Sequence, residues 1–172
     1  MRPREQADPD QVEHDRREIR RLELEAHLGG FTFSGTPYET APDPVPVIVD
    51  VSRMTHGGYA LRLRFGATLQ GPCMRCLEPA TPHTEVDVRE VDQPGGGDEL
   101  DSPYVTGEEL DVDAWAHDAL GLALPAQVLC RPDCRGLCPE CGANLNEDPE
   151  HAHAPEPDPR WAALDELKFD GP

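Results

Sequence analysis

Six cysteines hold the most chemistry in this 172-residue chain. They fall in three close pairs, Cys73-x-x-Cys76, Cys130-x-x-x-Cys134 and Cys138-x-x-Cys141. A two-residue gap lets both thiolates of a pair face one tetrahedral ion. Gly142, after the last pair, frees backbone N–H groups to point at the sulfurs. Zinc takes four such ligands and contributes folding free energy when it binds. His151 and His153 follow the last pair closely and can supply imidazole ligands.

The pairs can combine in two ways. One is a single all-thiolate site of Cys130, Cys134, Cys138 and Cys141, which crowds four ligands into a short run. The other, which we prefer, has two sites. Cys73 and Cys76 join Cys130 and Cys134, and Cys138 and Cys141 join His151 and His153. The plain alternative for the two histidines is a pair of surface side chains in an acidic loop. One or two zinc ions are therefore expected.

C-x-x-C also serves thiol–disulfide exchange. That chemistry wants its motif at the start of a helix after a buried strand, whereas Leu77-Glu78-Pro79 breaks helix directly after Cys76. The chain has no G-x-S-x-G, H-E-x-x-H or P-loop pattern. The expectation is a protein without enzymatic activity or a small-molecule substrate. The other five histidines, His14, His27, His56, His83 and His117, follow no ligand pattern.

Composition narrows the setting. Lys and Arg number 15 against 34 Asp and Glu, a formal net charge of −19. That disfavours a protein that coats nucleic acid or docks on an anionic membrane. Residues 1–92 carry 16 acids and 11 bases, while residues 93–172 carry 18 and 4, so the acidity is concentrated late. Met1–Asp10 is polar and charged, with no apolar stretch to act as an export signal. The expectation is a cytoplasmic protein whose thiols stay reduced, which favours metal over disulfides. Hydrophobic residues make up 37%, with 19 Pro and 15 Gly, so a modest core and much irregular chain are expected.

The positioning elements follow from periodicity. Val47, Val49 and Val51 alternate with polar or outward positions, as do Leu61, Leu63 and Phe65 with Arg62 and Arg64. Around His56-Gly57-Gly58 these two runs predict a hairpin. A third strand is predicted over 84–91, with Val86, Val88 and Val91 inward and Asp87 and Arg89 outward. Arg62, Arg64 and Arg89 would then share a sheet face. It reads first as solvated and second as a possible RNA contact, which Arg16, Arg17, Arg20 and Arg21 could extend.

Residues 110–124 predict a helix capped by Asp111 or Asp113 and stopped by Pro125. Val112, Trp115, Ala119 and Leu122 form its apolar face, supported by Ala116, Leu120 and Ala123. Val12, Ile19, Leu22 and Ala26 fit a helix, but Leu22, Leu24, Ala26 and Leu28 fit a strand, and periodicity leaves both open. A last short helix over 160–169 offers Trp161, Leu164, Leu167 and Phe169. The fold class is α+β: a small antiparallel β-sheet domain with packed helices and a cysteine-rich C-terminal zinc-binding tail. The divisions are a polar extension at 1–18, the α+β domain at 19–129 and the metal-binding tail at 130–172.

Four features together resemble the large ribosomal RNA subunit accumulation proteins, the YceD family. They are Gly71-Pro-Cys-Met-Arg-Cys-Leu-Glu-Pro79, a helix ending at Leu124-Pro125, Cys130-x3-Cys134-Arg-Gly-Leu-Cys-Pro-x-Cys-Gly-x-Asn-Leu-Asn146, and the terminal Asp158-Pro-Arg-Trp-Ala-Ala-Leu-x-x-Leu167. The resemblance implies a cytoplasmic ribosome-biogenesis factor for 23S rRNA accumulation or processing and large-subunit assembly. Some family members lose the later C-x-x-C alone, which favours two sites, since ligands of one ion should be lost together. Many relatives carry cysteines where this chain has His151 and His153, so the histidines represent either a ligand swap or a lost site.

The resemblance and the charge together point to an acidic factor that engages a basic ribosomal protein or another assembly factor. A direct RNA-binding zinc module, contacting 23S rRNA, is the alternative. A thiol–disulfide oxidoreductase is the third reading.

Overall fold

The computed structural model describes residues 19–54, 57–97 and 100–153. The polar extension at 1–18, the helix expected over 160–169, His56, Arg16 and Arg17 lie outside the described residues. The chain forms two compact units, divided between Cys134 and Arg135.

The first unit is built on one antiparallel sheet. Its spine is the 14-residue strand β5 (Tyr59–Pro72). One side of β5 pairs with β4 (Val45–Arg53) and, farther along, with β3 (Thr36–Ala41). Its other partners are β7 (His83–Asp92) and the two-residue β6 (Pro79–Ala80). β1 (Arg20–Ala26) adds to β4, and β2 (Gly30–Phe33) adds to β3. A separate small ribbon joins β8 (Val105–Thr106) to β9 (Glu109–Leu110).

Alternation sorts the sheet's faces as expected from its period of two. Val45, Val47 and Val49 of β4 and Leu61, Leu63, Phe65 and Ala67 of β5 are buried, with Val86 of β7. The helix α1 (Val112–Ala123) lies against them, through Trp115, Ala116, Ala119 and Leu120. The Asp111 carboxylate caps α1, accepting from the Ala114 N–H at 3.0 Å. Asp113 instead accepts from the His27 N–H at 2.9 Å, which ties α1 to the end of β1. Pro125 follows the last turn, as a helix stop should.

The helices and Val91 depart from expectation, and one open reading is resolved. The sheet dominates, and α1 is the one helix among the described residues, so the packed helices are not found. Residues 20–26 form a strand, with Leu22, Leu24 and Ala26 opposite Val49, Val47 and Val45; Ala26 is buried and Leu22 packs against the core, while Leu24 stays exposed. Val91 sits two positions from Arg89 on the outer face and is 38% exposed, since β7 runs on to Asp92 without a bulge.

Leu122 is 89% exposed and leaves the predicted apolar face of α1. At about 100° per residue, the buried arc centres between Val112 and Ala123, and Leu122 lies roughly a quarter turn away.

The β2–β3 hairpin was not legible in advance. Its two-residue turn, Ser34-Gly35, has φ of 51° and 82°, the double left-handed geometry that matches strand twist. Ser is a weak signal for that turn, and Pro37 speaks against a strand.

The outer face is a network of opposite charges. Arg62 Nε and Nη2 donate to the Asp87 carboxylate at 2.7 and 2.5 Å. Arg64 and Arg21 both donate to Asp50, each at 2.8 Å. The Arg21 hydrogen bond is the main reason the Asp50 carboxyl lies below its ordinary range, and Arg62 does the same to Asp87.

A depressed carboxyl pKa adds stability above its unfolded value and loses it as pH falls through the folded value. The stability difference between wild type and an Asp50→Asn, Asp87→Asn variant should therefore be level above pH ~6 and shrink below pH ~4. Chemical denaturation at a series of pH values measures it. A difference that stays level through the acid range would count against these pairs.

Candidate metal centres

The first centre forms where two distant segments of the first unit meet. β5 runs directly into Cys73, and a tight loop returns the chain to β6. Within that loop the Cys73 N–H donates to Glu78 O at 2.7 Å, and the Leu77 N–H donates to Cys73 O at 3.0 Å. Gly71, just before the loop, is required by packing, since a Cβ there would stand 2.2 Å from the Tyr38 ring.

The second segment follows α1. The Met74 N–H donates to Val128 O at 2.8 Å, and the Val128 N–H reaches Met74 Sδ at 3.3 Å. The Arg75 guanidinium donates to Cys134 O at 3.0 Å and to Gln127 Oε1 at 3.1 Å.

These ties bring four thiols together. Cys73 Sγ lies 3.7 Å from Cys134 Sγ, and Cys76 Sγ lies 3.5 Å from Cys130 Sγ. Zn–S bonds of about 2.3 Å at tetrahedral angles would space sulfurs roughly 3.8 Å apart. Cys73, Cys76 and Cys134 are buried and Cys130 is half-buried. All six cysteines are free thiols.

Electrostatics at this centre favour a bound cation. Burial opposes ionisation of Cys73 most strongly. N–H groups of Cys76, Arg75 and Cys130 together outweigh it and bring the thiol down to about 6. Burial and the neighbouring thiols push Cys130 up to about 12. Four thiolates cannot share this space without a compensating positive charge.

The second centre lies wholly in the second unit and repeats the first loop's hydrogen bonding. The Cys138 N–H donates to Ala143 O at 2.8 Å, and the Gly142 N–H donates to Cys138 O at 2.9 Å. The offsets match those at Cys73, so both C-x-x-C segments fold as the same knuckle. N–H groups of Cys141 and Glu140 lower the Cys138 thiol.

The Asn144-Leu145-Asn146 stretch then turns the chain. Asn144 Oδ1 accepts from the Asn146 N–H at 3.0 Å, and Asn146 Oδ1 accepts from the Arg135 N–H at 2.8 Å. Arg135 also donates to Pro149 O at 2.9 Å. These contacts were not anticipated, although the Asn-x-Asn pattern itself was visible.

The turn delivers both histidines to Cys141. Its Sγ lies 3.2 Å from His151 Nε2 and 3.3 Å from His153 Nε2, and the two Nε2 atoms are 3.0 Å apart. The outer nitrogens face carboxylates. His153 Nδ1 is 3.2 Å from Glu140 Oε2, and His151 Nδ1 is 3.8 Å from Asp148 Oδ2. The Glu140 carboxylate behind His153 favours the tautomer that leaves its Nε2 free for a metal.

The ligand atoms of Cys73, Cys76, Cys130 and Cys134 all lie within 4.8 Å of one another, as do those of Cys138, Cys141, His151 and His153. Either group can hold a metal ion, and the donor sets, all-thiolate and mixed thiolate–imidazole, suit zinc. Each group draws all of its ligands from one unit. Arg62, Arg64 and Arg89 are remote in kind: they lie on the outer sheet face, with Arg62 opposite Arg89 across the strands.

The shared knuckle makes a prediction. Each loop needs a left-handed residue after its second cysteine, at Leu77 (φ 65°) and Gly142 (φ 74°). A non-glycine residue there costs about 1–2 kcal/mol. Leu77→Gly should leave stability unchanged or raise it by up to about 1 kcal/mol, after the flexibility it adds to the unfolded chain. Gly142→Val should cost about 1–2 kcal/mol and speed metal loss to a chelator. Thermal melts and chelator release check both, and a marked loss from Leu77→Gly would contradict the geometry.

Comparison with known proteins places this architecture. The family model described as large ribosomal RNA subunit accumulation protein YceD matches residues 61–168, from β5 through both centres. An uncharacterized protein of Mycobacterium tuberculosis strain H37Rv is 40% identical over 105 residues, covering 56% of this chain and 49% of the relative. One from Mycobacterium leprae is 34% identical over 109 residues, covering 55% and 46%.

The chloroplastic large ribosomal RNA subunit accumulation protein YCED homolog 1 of Zea mays is 28% identical over 153 residues, covering 69% of this chain and 51% of that protein. The chain spans about half the length of these curated relatives. No solved structure matches it. With more than half of its length matched, the chain belongs to the family of the large ribosomal RNA subunit accumulation protein YceD.

Proposed function

We propose that this chain is a ribosome-biogenesis factor without catalytic activity. It holds two zinc ions, supports 23S rRNA accumulation and processing and large-subunit assembly, and works by engaging a basic ribosomal protein or another assembly factor in the cytoplasm. The family description supplies the link to large-subunit RNA.

The observation that carries the protein-partner mechanism is the pairing of Arg62, Arg64 and Arg21 on the outer face, where Arg89 alone of the three expected contact residues has no ion-pair partner among the described residues. Arg62 is held two-pronged by Asp87, and Arg64 and Arg21 share Asp50. Phosphate neutralisation requires clustered cations that are free to displace counterions. These are engaged, on a chain of net charge −19. Filling an all-thiolate zinc site would take that charge to about −21. An acidic body of this kind speeds encounter with a basic protein, and salt weakens the attraction.

The test uses the zinc-loaded chain as bait for purified large-subunit proteins and, separately, for protein-free 23S rRNA. Capture of a basic ribosomal protein, lost as salt rises, is expected. Retention of bare rRNA, abolished by Arg62→Glu with Arg64→Glu, and no protein partner, would establish the RNA-binding reading instead. Turnover of a disulfide substrate that needs Cys73 or Cys138 would establish the oxidoreductase.

A further inference from the structure

An open cleft of about 320 Å³ lies against α1, lined by Phe31, Tyr104, His117, Asp118, Gly121 and Leu122. Its walls are aromatic and held in place. Phe31 and His117 stack with centroids 4.5 Å apart, and the His117 Nδ1–H donates to Leu28 O at 2.7 Å. Tyr104 stacks on the buried Trp115 and donates its O–H to Asp118 Oδ2 at 3.1 Å. Asp118 is exposed and has no ion-pair partner among the described residues.

The space is kept clear by Gly121, where a Cβ would meet the Phe31 ring at 3.2 Å. A helical glycine costs up to about 1 kcal/mol relative to alanine, and Gly121 stands in the last turn of α1. Leu122, 89% exposed, forms a lip with no cover.

Aromatic faces beside one carboxylate recognise a cation with apolar surroundings. The charge around the cleft has the same sense, since α1 and its cap carry Asp111, Asp113 and Asp118 and no Lys or Arg. Asp118 repels phosphate, and a purely apolar occupant would cover its charge with only the neutral Tyr104 hydroxyl as partner. Arginine meets each requirement, with a planar cation that stacks on rings and an apolar stem.

We infer that this cleft receives an arginine side chain from the basic protein partner, with its stem against Phe31 and Leu122 and its guanidinium on the Asp118 carboxylate. The inference rests on the protein-partner reading above and names the surface that partner uses.

The zinc-loaded full chain is titrated with acetyl-Gly-Arg-Leu-Gly-amide and with the same peptide carrying citrulline, which keeps the shape and removes the charge. Amide shifts at Phe31, Tyr104, Gly121 and Leu122 are followed by NMR. The arginine peptide should move these signals and bind about tenfold or more tightly than the citrulline peptide. Asp118→Asn should remove most of that preference.

Gly121→Met, which fills the cleft and gains helix propensity while the Phe31 ring gives by a few tenths of an ångström, should abolish the shifts with the amide spectrum of the rest of the sheet unit unchanged. Equal binding of the two peptides, or unchanged binding by Gly121→Met, overturns the inference. A basic large-subunit protein that binds wild type and Gly121→Met alike overturns the cleft and leaves the protein-partner reading standing. Arginine-peptide binding in the cleft, with no such protein captured, supports the cleft and sinks that reading.

Discussion

With both proposed zinc centres filled, Cys73→Ser is expected to lose one of the two ions and to lower the melting temperature of the sheet unit more than any surface change. Cys73 is fully buried and its thiol sits against Cys134. The variant removes a thiolate from a set whose remaining members, Cys76, Cys130 and Cys134, converge on the same point. Structural zinc contributes about 10–16 kcal/mol of apparent binding free energy, comparable with the roughly 5–15 kcal/mol that holds a whole domain together. Even partial loss should therefore populate the unfolded state.

Metal content by mass spectrometry and a thermal melt read the two effects together. His153→Ala is the control. It should also lose one ion but spare the sheet unit, because its ligand set lies wholly beyond the division at Cys134. If Cys73→Ser keeps both ions and melts as the wild type does, the four-cysteine centre is wrong.

Trp115→Ala should cost about 3–5 kcal/mol, the usual range for deleting a buried aromatic side chain. Trp115 is 3% exposed and belongs to the core between α1 and the sheet, with Tyr104 stacked at 6.2 Å between centroids. Leu63 and Leu120, of the same core cluster, lie on a paired strand and on α1, which limits how far the core can close on the space. Denaturant unfolding of the zinc-loaded protein measures the loss, and Trp115→Phe should recover part of it. A cost under about 1 kcal/mol would mean that α1 is not anchored through this residue.

Much of the site's framework was legible in the residues themselves. Val47 and Val49, and Leu61, Leu63 and Phe65, declared strands because alternation is a local property of an extended chain. Asp111 and Pro125 declared the limits of α1 for the same reason, since caps and stops act within a turn. Local signals failed where they conflicted. Leu22 and Ala26 fitted two periods, and only the row of β4 valines opposite them selected the strand. Ser34-Gly35 made a hairpin that neither Ser nor the nearby Pro37 announces. Leu122 carried the expected spacing but sits where the sheet no longer covers α1.

The cysteines show where this division falls. Two-residue spacing by itself determined that Cys73 with Cys76, and Cys138 with Cys141, can each grip one ion, because a loop that short has few conformations. The hydrogen bonds repeated in both loops are its physical form. Which four ligands share a centre was open, since Cys130 and Cys134 lie nearer in sequence to Cys138 than to Cys73. Tertiary structure decided it. β5 ends beside the chain that leaves α1, and Met74 and Arg75 bind Val128 and Cys134 across more than 50 residues of sequence. Spacing is a short-range constraint on the backbone, whereas the choice of partners is made by the sheet and helix that carry distant segments to the same place.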